Sequence, residues 1–183
     1  METCTLQKIK EFDEVEKLFY IASKSKHPNA KNFDVNKMKK RWGNYLLFNI
    51  LRINDTPISF GGVYKYSDTL ARVADRLYTF EKFRQTSFTK NVVQQIRPAV
   101  DFFIPTHTKY AKNLGYECFY SIGPEKKKSG IERVTRLIDK NLGYRVLPGY
   151  YATCNPALYK CWQSIASTTD TVDLPKRLDE EFV

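Results

Sequence analysis

The side chain best placed to act as a base in this sequence is Asp75. It lies near the middle of Leu70–Phe80, a stretch that otherwise reads as a buried strand. A carboxylate there needs either a partner or a chemical role. Arg72 and Arg76 offer the plainer answer, an ion pair. Glu81 falls just past the strand, on a loop, and is a weaker base. Cys118 lies in a second strand-like stretch, Tyr116–Ile122. A thiol there could react, although a small packed residue is the commoner outcome. His107 sits early in a helical stretch and reads as a surface residue. Cys4, Cys118, Cys154 and Cys161 form no Cys-x-x-Cys pair. With His27 and His107 as the two histidines, this argues against a zinc site. Free thiols in a reducing cytosol are the expectation.

These residues need elements to hold them. Thr3–Lys10 alternates weakly and reads as a strand. Asp13 is a candidate cap for a helix carrying Val15, Leu18, Phe19 and Ala22 at helical spacing. A polar basic loop, Lys24–Asn32, follows. Asp34 can cap a second helix with Val35, Met38 and Trp42 on one face, stopped at Gly43. Tyr45–Ile53 reads as a buried strand and Asn54-Asp55 as a hairpin turn. Pro57–Tyr66 returns, with Gly61-Gly62 marking a bulge or a close backbone approach. Leu70–Phe80 completes the meander. A helical region from about Thr86 to Leu114 follows, broken near Pro98 and Pro105. Strand Tyr116–Ile122, helix Ile131–Asn141 and strands Tyr144–Cys154 and Ala157–Ala166 come next. Two helices end in Leu-Gly-Tyr, at Gly115 and Gly143, as glycine-stopped helices do.

The order is β-α-α-β-β-β-α-β-α-β-β. It predicts an α/β (α+β) fold: a mixed, mostly antiparallel central sheet with helices on both faces. The 183 residues suit one domain, residues 1–166, with a polar acidic tail over 167–183. No apolar run approaches the ~18 residues of a membrane span, and no apolar leader opens the chain, so a cytoplasmic protein is expected. The net charge of +10 suits an anionic partner. Charge and aromatic content would also suit nucleic acid, but no defined reading motif accompanies them.

Two local patterns add a resemblance. Leu77-Tyr-Thr-Phe-Glu-Lys-Phe-Arg84 is similar to the fourth strand and its exit in the GNAT superfamily of N-acetyltransferases. Glu132, Thr135, Asp139, Gly143 and Tyr144 keep the spacing of that family's Asn-x-x-Ala-x-x-x-Tyr-x-x-x-Gly-Phe helix. The resemblance covers about residues 3–166. It implies that strands four and five splay apart and that acetyl-CoA, or another acyl-CoA, enters between them. It further implies an amine that attacks the thioester directly, with a base and an acid to move protons. The implied cofactor contacts are Tyr78, Phe80, Arg84, Gln85, Thr86, Ser87, Phe88 and Thr89. Asp75 falls where a base could stand. Asp139 replaces the family's acidic tyrosine, for which Tyr150 or Tyr151 could substitute.

The chain departs from the family at the diphosphate loop. With Arg84 as its first residue, the glycine positions hold Ser87 and Thr89. Their hydroxyls could donate to phosphate, with Arg84 or Lys90 adding charge; Ser87 could equally cap a helix. A register starting at Gln95 would put Pro98 at the first glycine position. The acceptor implied is a small amine or a protein terminus. The C-terminal strands of the superfamily often pair between protomers, which implies a homodimer as one arrangement. The missing glycines and tyrosine fit a second reading, a GNAT-like binding module without catalysis. A basic nucleic-acid-associated protein is a third.

Overall fold

Strand β2 (Tyr45–Ile53) carries apolar side chains on both faces, with Phe48 and Ile50 on one and Leu47 and Leu51 on the other. A strand buried on both faces must lie between two covering layers. The computed structural model describes residues 3–27, 30–84, 98–121, 145–155 and 159–166, and has this form. Helices α1 (Glu16–Ser23) and α2 (Val35–Arg41) cover one face, where Phe19, Ala22 and Met38 pack with Phe48, Ile50 and Phe60. Helix α3 (Ile104–Asn113) covers the other, where Ile104 and Ala111 pack with Leu47, Val63, Ala71 and Val73.

The remaining strands are β1 (Cys4–Lys8), β3 (Thr56–Lys65), β4 (Leu70–Thr79), β5 (Glu117–Ser121), β6 (Arg145–Asn155) and β7 (Tyr159–Ala166). Their order across the sheet is β1-β2-β3-β4-β5-β7-β6. The β4–β5 pair is parallel and the other pairs are antiparallel. The expected element order holds throughout the described residues. The expected helix Ile131–Asn141, the second Leu-Gly-Tyr stop and the tail 167–183 lie outside them.

Several local expectations hold for the expected reason. Asp34 caps α2, its Oδ1 accepting from the Lys37 N–H at 3.1 Å. Gly115 closes α3 at φ +88°. Asn54 turns the hairpin at φ 51°. A Cβ on Gly62 would lie 2.6 Å from a Tyr45 ring carbon and 2.7 Å from one of Phe48. The glycine is therefore needed for close aromatic approach.

Two details differ. Asp13 caps nothing; it lies in a 3-10 turn, Phe12–Glu14, that precedes α1. Glu14 does the local work instead, its Oε1 accepting from the N–H groups of Lys10 (3.2 Å) and Glu11 (2.9 Å). Nor does the helical path break at Pro105. A π-wound segment, Pro98–Phe103, runs directly into α3, and Pro105 falls in the first α turn. A missing N–H costs little there.

Candidate active site

The parallel β4–β5 ladder is short. Leu70, Ala71 and Arg72 pair with Glu117, Cys118 and Phe119, while β4 runs on to Thr79. Beyond Arg72, β4 keeps its partner β3 and no described strand on the other side. The β3–β4 ladder itself skips twice, from Phe60↔Tyr78 to Gly62↔Asp75 and on to Tyr64↔Arg72. Each step passes two residues of β3 and three of β4, so β4 carries two bulges. Each holds one residue in the left-handed region, Ala74 at φ 51° and Arg76 at φ 52°. These flank Asp75. Left-handed backbone at non-glycine residues costs about 1–2 kcal/mol each. Bulges and strain of this kind concentrate where a strand must re-aim its groups.

The bulges place Asp75, itself fully buried, among partners of which Arg41 and Tyr45 are half-buried. Its Oδ2 accepts from Arg41 Nη2 at 2.8 Å and from the Tyr45 hydroxyl at 2.6 Å. Arg72 Nη1 stands 3.4 Å from Oδ1. Burial alone would raise the Asp75 pKa, but Arg41, then Arg72 and Arg76, outweigh it and hold the carboxyl at about 2. Burial, with Asp75 adding to it, raises the Tyr45 hydroxyl well above its ordinary value. Arg41 Cζ lies over the Tyr64 ring, 3.9 Å from its centroid. Asp75 is thus an ion-paired carboxylate and a poor proton acceptor. What it can do is hold Arg41 and Tyr45 in place.

His107 is not on the surface. It is fully buried and belongs to the face of α3 formed by Ile104, His107, Thr108 and Ala111. Its Nδ1 accepts the Ala74 N–H at 3.1 Å, so Nε2 carries the proton and donates to Asn49 Oδ1 at 2.9 Å. The imidazole therefore satisfies a bulge amide that has left the ladder. Burial holds its pKa down at about 3. An unfolded imidazole titrates near ~6.5. Between those values the unfolded chain binds more protons, so stability falls as pH drops through that window. The slope reaches about 1.4 kcal/mol per pH unit. A His107→Gln variant should show a flatter loss between neutral pH and about pH 4.5, measured as urea midpoints.

At the exit of β4, Tyr78 stacks on Phe60 (centroids 5.5 Å apart) and meets Phe33 and Phe80 edge-on at 5.0 and 5.3 Å. Arg84 turns back over Tyr78, 4.8 Å from the ring centroid, and its Nε donates to the Thr79 carbonyl at 2.6 Å. Tyr78 is buried, and Phe80 and Arg84 are half-buried. Glu81 is exposed in a 3-10 turn, Glu81–Phe83. Gln85, Thr86, Ser87, Phe88, Thr89, Lys90 and Asp139 lie outside the described residues. Tyr150 and Tyr151 lie in β6.

Cys118 is fully buried beneath α3, and burial pushes its thiol up to about 12. It should resist alkylation at pH 8 in the folded protein and react once urea unfolds it. Mass spectrometry of the tryptic peptides would read this. Among the described residues, no group of three or more His, Cys, Asp or Glu gathers to hold a metal. None of the described helices is long and apolar enough to cross a membrane. An open groove of about 810 Å³ lies on the β1 edge, lined by residues such as Thr5, Gln7 and Arg52. It shares no residue with the β4 cluster.

No protein-family model matches this chain, and no curated protein matches it in sequence. Solved structures do match it in shape. The IAA acetyltransferase from Bacillus cereus ATCC 14579 superposes with a TM-score of 0.54 at 10% identity, over 89% of this chain and 98% of that one. A Bacillus subtilis acetyltransferase in complex with CoA gives 0.52 at 12% identity, over 91% and 100%. The yncA protein from Salmonella typhimurium, with its cofactor acetyl-CoA, gives 0.54 at 8% identity, over 94% and 99%. The fold is that of the GNAT acetyltransferases. At such identities the likeness lies in the fold. Within it, the described β4–β5 ladder ends at Arg72↔Phe119, in the region where the resemblance implies that the two strands splay apart. Three residues of the β4 region escaped the sequence reading. Arg41 and Tyr45 are 34 and 30 positions from Asp75, so no local pattern links them. His107 left a usable signal, since Ile104, His107 and Ala111 fall at helical spacing.

Proposed function

We propose that this protein is an N-acyltransferase that moves an acetyl group from acetyl-CoA to an amine. The observation that carries this reading is the edge of β4. Its described pairing with β5 ends at Arg72, it is bulged twice, and it ends beside a half-buried guanidinium, Arg84. A strand edge free beyond that point would offer amides to an extended pantetheine chain, and a cation at its end would suit a diphosphate. Two of the similar structures, those from B. subtilis and S. typhimurium, were solved with CoA or acetyl-CoA. Arg84, with Gln85, Thr86, Ser87, Phe88 and Thr89 after it, would hold the diphosphate. Tyr78 and Phe80 would border the pantetheine.

In the reaction the amine nitrogen bonds to the acetyl carbon, the thioester C–S bond breaks, the nitrogen loses a proton to water, and the leaving thiolate gains one. Asp139 and Tyr150 stand as proposed donors to the leaving thiolate. Asp75, at about 2, is proposed to position Arg41 and Tyr45 and not to take the proton.

The test is release of free CoA thiol from acetyl-CoA with a panel of primary amines. Amine-dependent release is expected. Arg84→Gln should raise KM for acetyl-CoA at least tenfold with a smaller change in kcat, as loss of uniform binding does. Release that no amine accelerates would overturn the reading.

A further inference from the structure

The segment from Ser23 to Arg41, which links α1 to α2 and includes α2, holds seven Lys and Arg side chains against one carboxylate, Asp34. That surplus of six accounts for most of the chain's net charge of +10. Asp34 is engaged as the α2 cap. Lys24, Lys26, Lys31, Lys37, Lys39 and Lys40 are all exposed. Such a charge run is often only a solvated face. Here it has a fixed place beside the candidate site. His27 meets the Tyr78 ring at 6.2 Å, Phe33 meets it at 5.0 Å, and Arg41 reaches Asp75 at 2.8 Å. The segment therefore lies along the stretch of β4 beyond its described pairing with β5.

Within α2, Val35, Met38 and Trp42 face the core. Lys37, Lys40 and Arg41 fall together on one flank, at i, i+3 and i+4. Arg41 shows that this flank is turned toward β4. Its Nη2 serves Asp75, while its Nε is buried with no hydrogen-bond partner among the described residues. A cation–π contact with Tyr64, 3.9 Å from Cζ to the ring centroid, helps hold the guanidinium in place. A half-buried guanidinium held by Asp75 and Tyr64 and backed by two exposed lysines is the chemistry that recognises a carboxylate or phosphate.

We propose that the acceptor is an amine that also carries an anionic group, a carboxylate or a phosphate, bound by Arg41 with Lys37 and Lys40 beside it. The term acceptor rests on the acyltransferase reading; the anion preference does not. Isothermal titration separates the two, because it needs no turnover. The probes are O-phosphoethanolamine against ethanolamine and β-alanine against β-alaninamide, each with and without saturating CoA. The anionic member of at least one pair should bind at least tenfold more tightly, and the pair that shows this tells phosphate from carboxylate. Arg41→Gln should reduce the preference to less than threefold. Because Arg41 is paired with buried Asp75, a Lys37→Ser/Lys40→Ser variant, altered only at exposed positions, is measured alongside. It should weaken the preference and flatten its decline with added salt. Equal affinities, heat from no probe, a preference unchanged in both variants, or loss of the preference under saturating CoA would overturn the proposal. The last result would assign the flank to the donor. A preference found in a protein that releases no CoA thiol would instead count against the acyltransferase reading alone.

Discussion

Asp75→Asn is expected to destabilise the protein by about 3–5 kcal/mol, the cost of removing one partner from a buried ion pair. The substitution changes almost no volume, so the loss is electrostatic. Arg41 and Arg72 lie against the Asp75 carboxylate, and Arg76 is among the cations that depress its pKa. Burial already disfavours the charged form of Arg76, whose pKa is lowered, and Asp75 is the first group opposing that effect. Without the carboxylate, positive charges face each other in a site that water reaches poorly. Urea unfolding at neutral pH would measure the loss. A change below about 1 kcal/mol would mean that the cluster is hydrated and worth no more than a surface pair. Combining Asp75→Asn with Arg41→Gln should cost less than the sum of the two single changes, because the second removes a charge that the first leaves unpaired.

Phe19→Ala should cost a similar amount, about 3–5 kcal/mol, by a different route. Phe19 is fully buried at the centre of the aromatic layer between α1 and the sheet. Its ring meets Phe60 at 5.2 Å, Phe48 at 5.5 Å, Phe12 at 5.8 Å and Trp42 at 6.4 Å. Removing it leaves a cavity walled by rings held from both α1–α2 and the sheet, so collapse is hindered. The midpoint of thermal unfolding should fall by on the order of 10 °C for a chain of this size. A fall of only a degree or two would show that the aromatic layer repacks freely.

The two variants probe parts of the molecule that were unequally legible in the sequence. The aromatic layer belongs to elements whose periodicity is local. Tyr45–Ile53 is a strand with the bounds its apolar run predicts, and Asn54-Asp55 turns the chain as expected. The pair Gly61-Gly62 announced a close approach, and Tyr45 and Phe48 make it at Gly62. Asp75 announced itself as a carboxylate in an apolar strand flanked by two arginines. Its strongest partners, Arg41 and Tyr45, come from other elements, and only the assembled sheet brings them in. The bulges were less visible still. Ala74 and Arg76 adopt left-handed backbone without being glycine, so composition gave no hint. His107 was misread because position along a helix was weighed above its face. Asp13 and Pro105 were misread because short 3-10 and π turns at helix starts follow tertiary packing more than residue preference.

The central claim is that the edge of β4 beyond Arg72 takes a CoA thioester, and thermal unfolding with and without acetyl-CoA tests it most directly. At about a hundred times its dissociation constant, a ligand that binds only the folded state adds about 2.7 kcal/mol. A shift of the midpoint by several degrees is predicted, much reduced in Arg84→Gln. The same midpoint with millimolar acetyl-CoA as without it would contradict the claim.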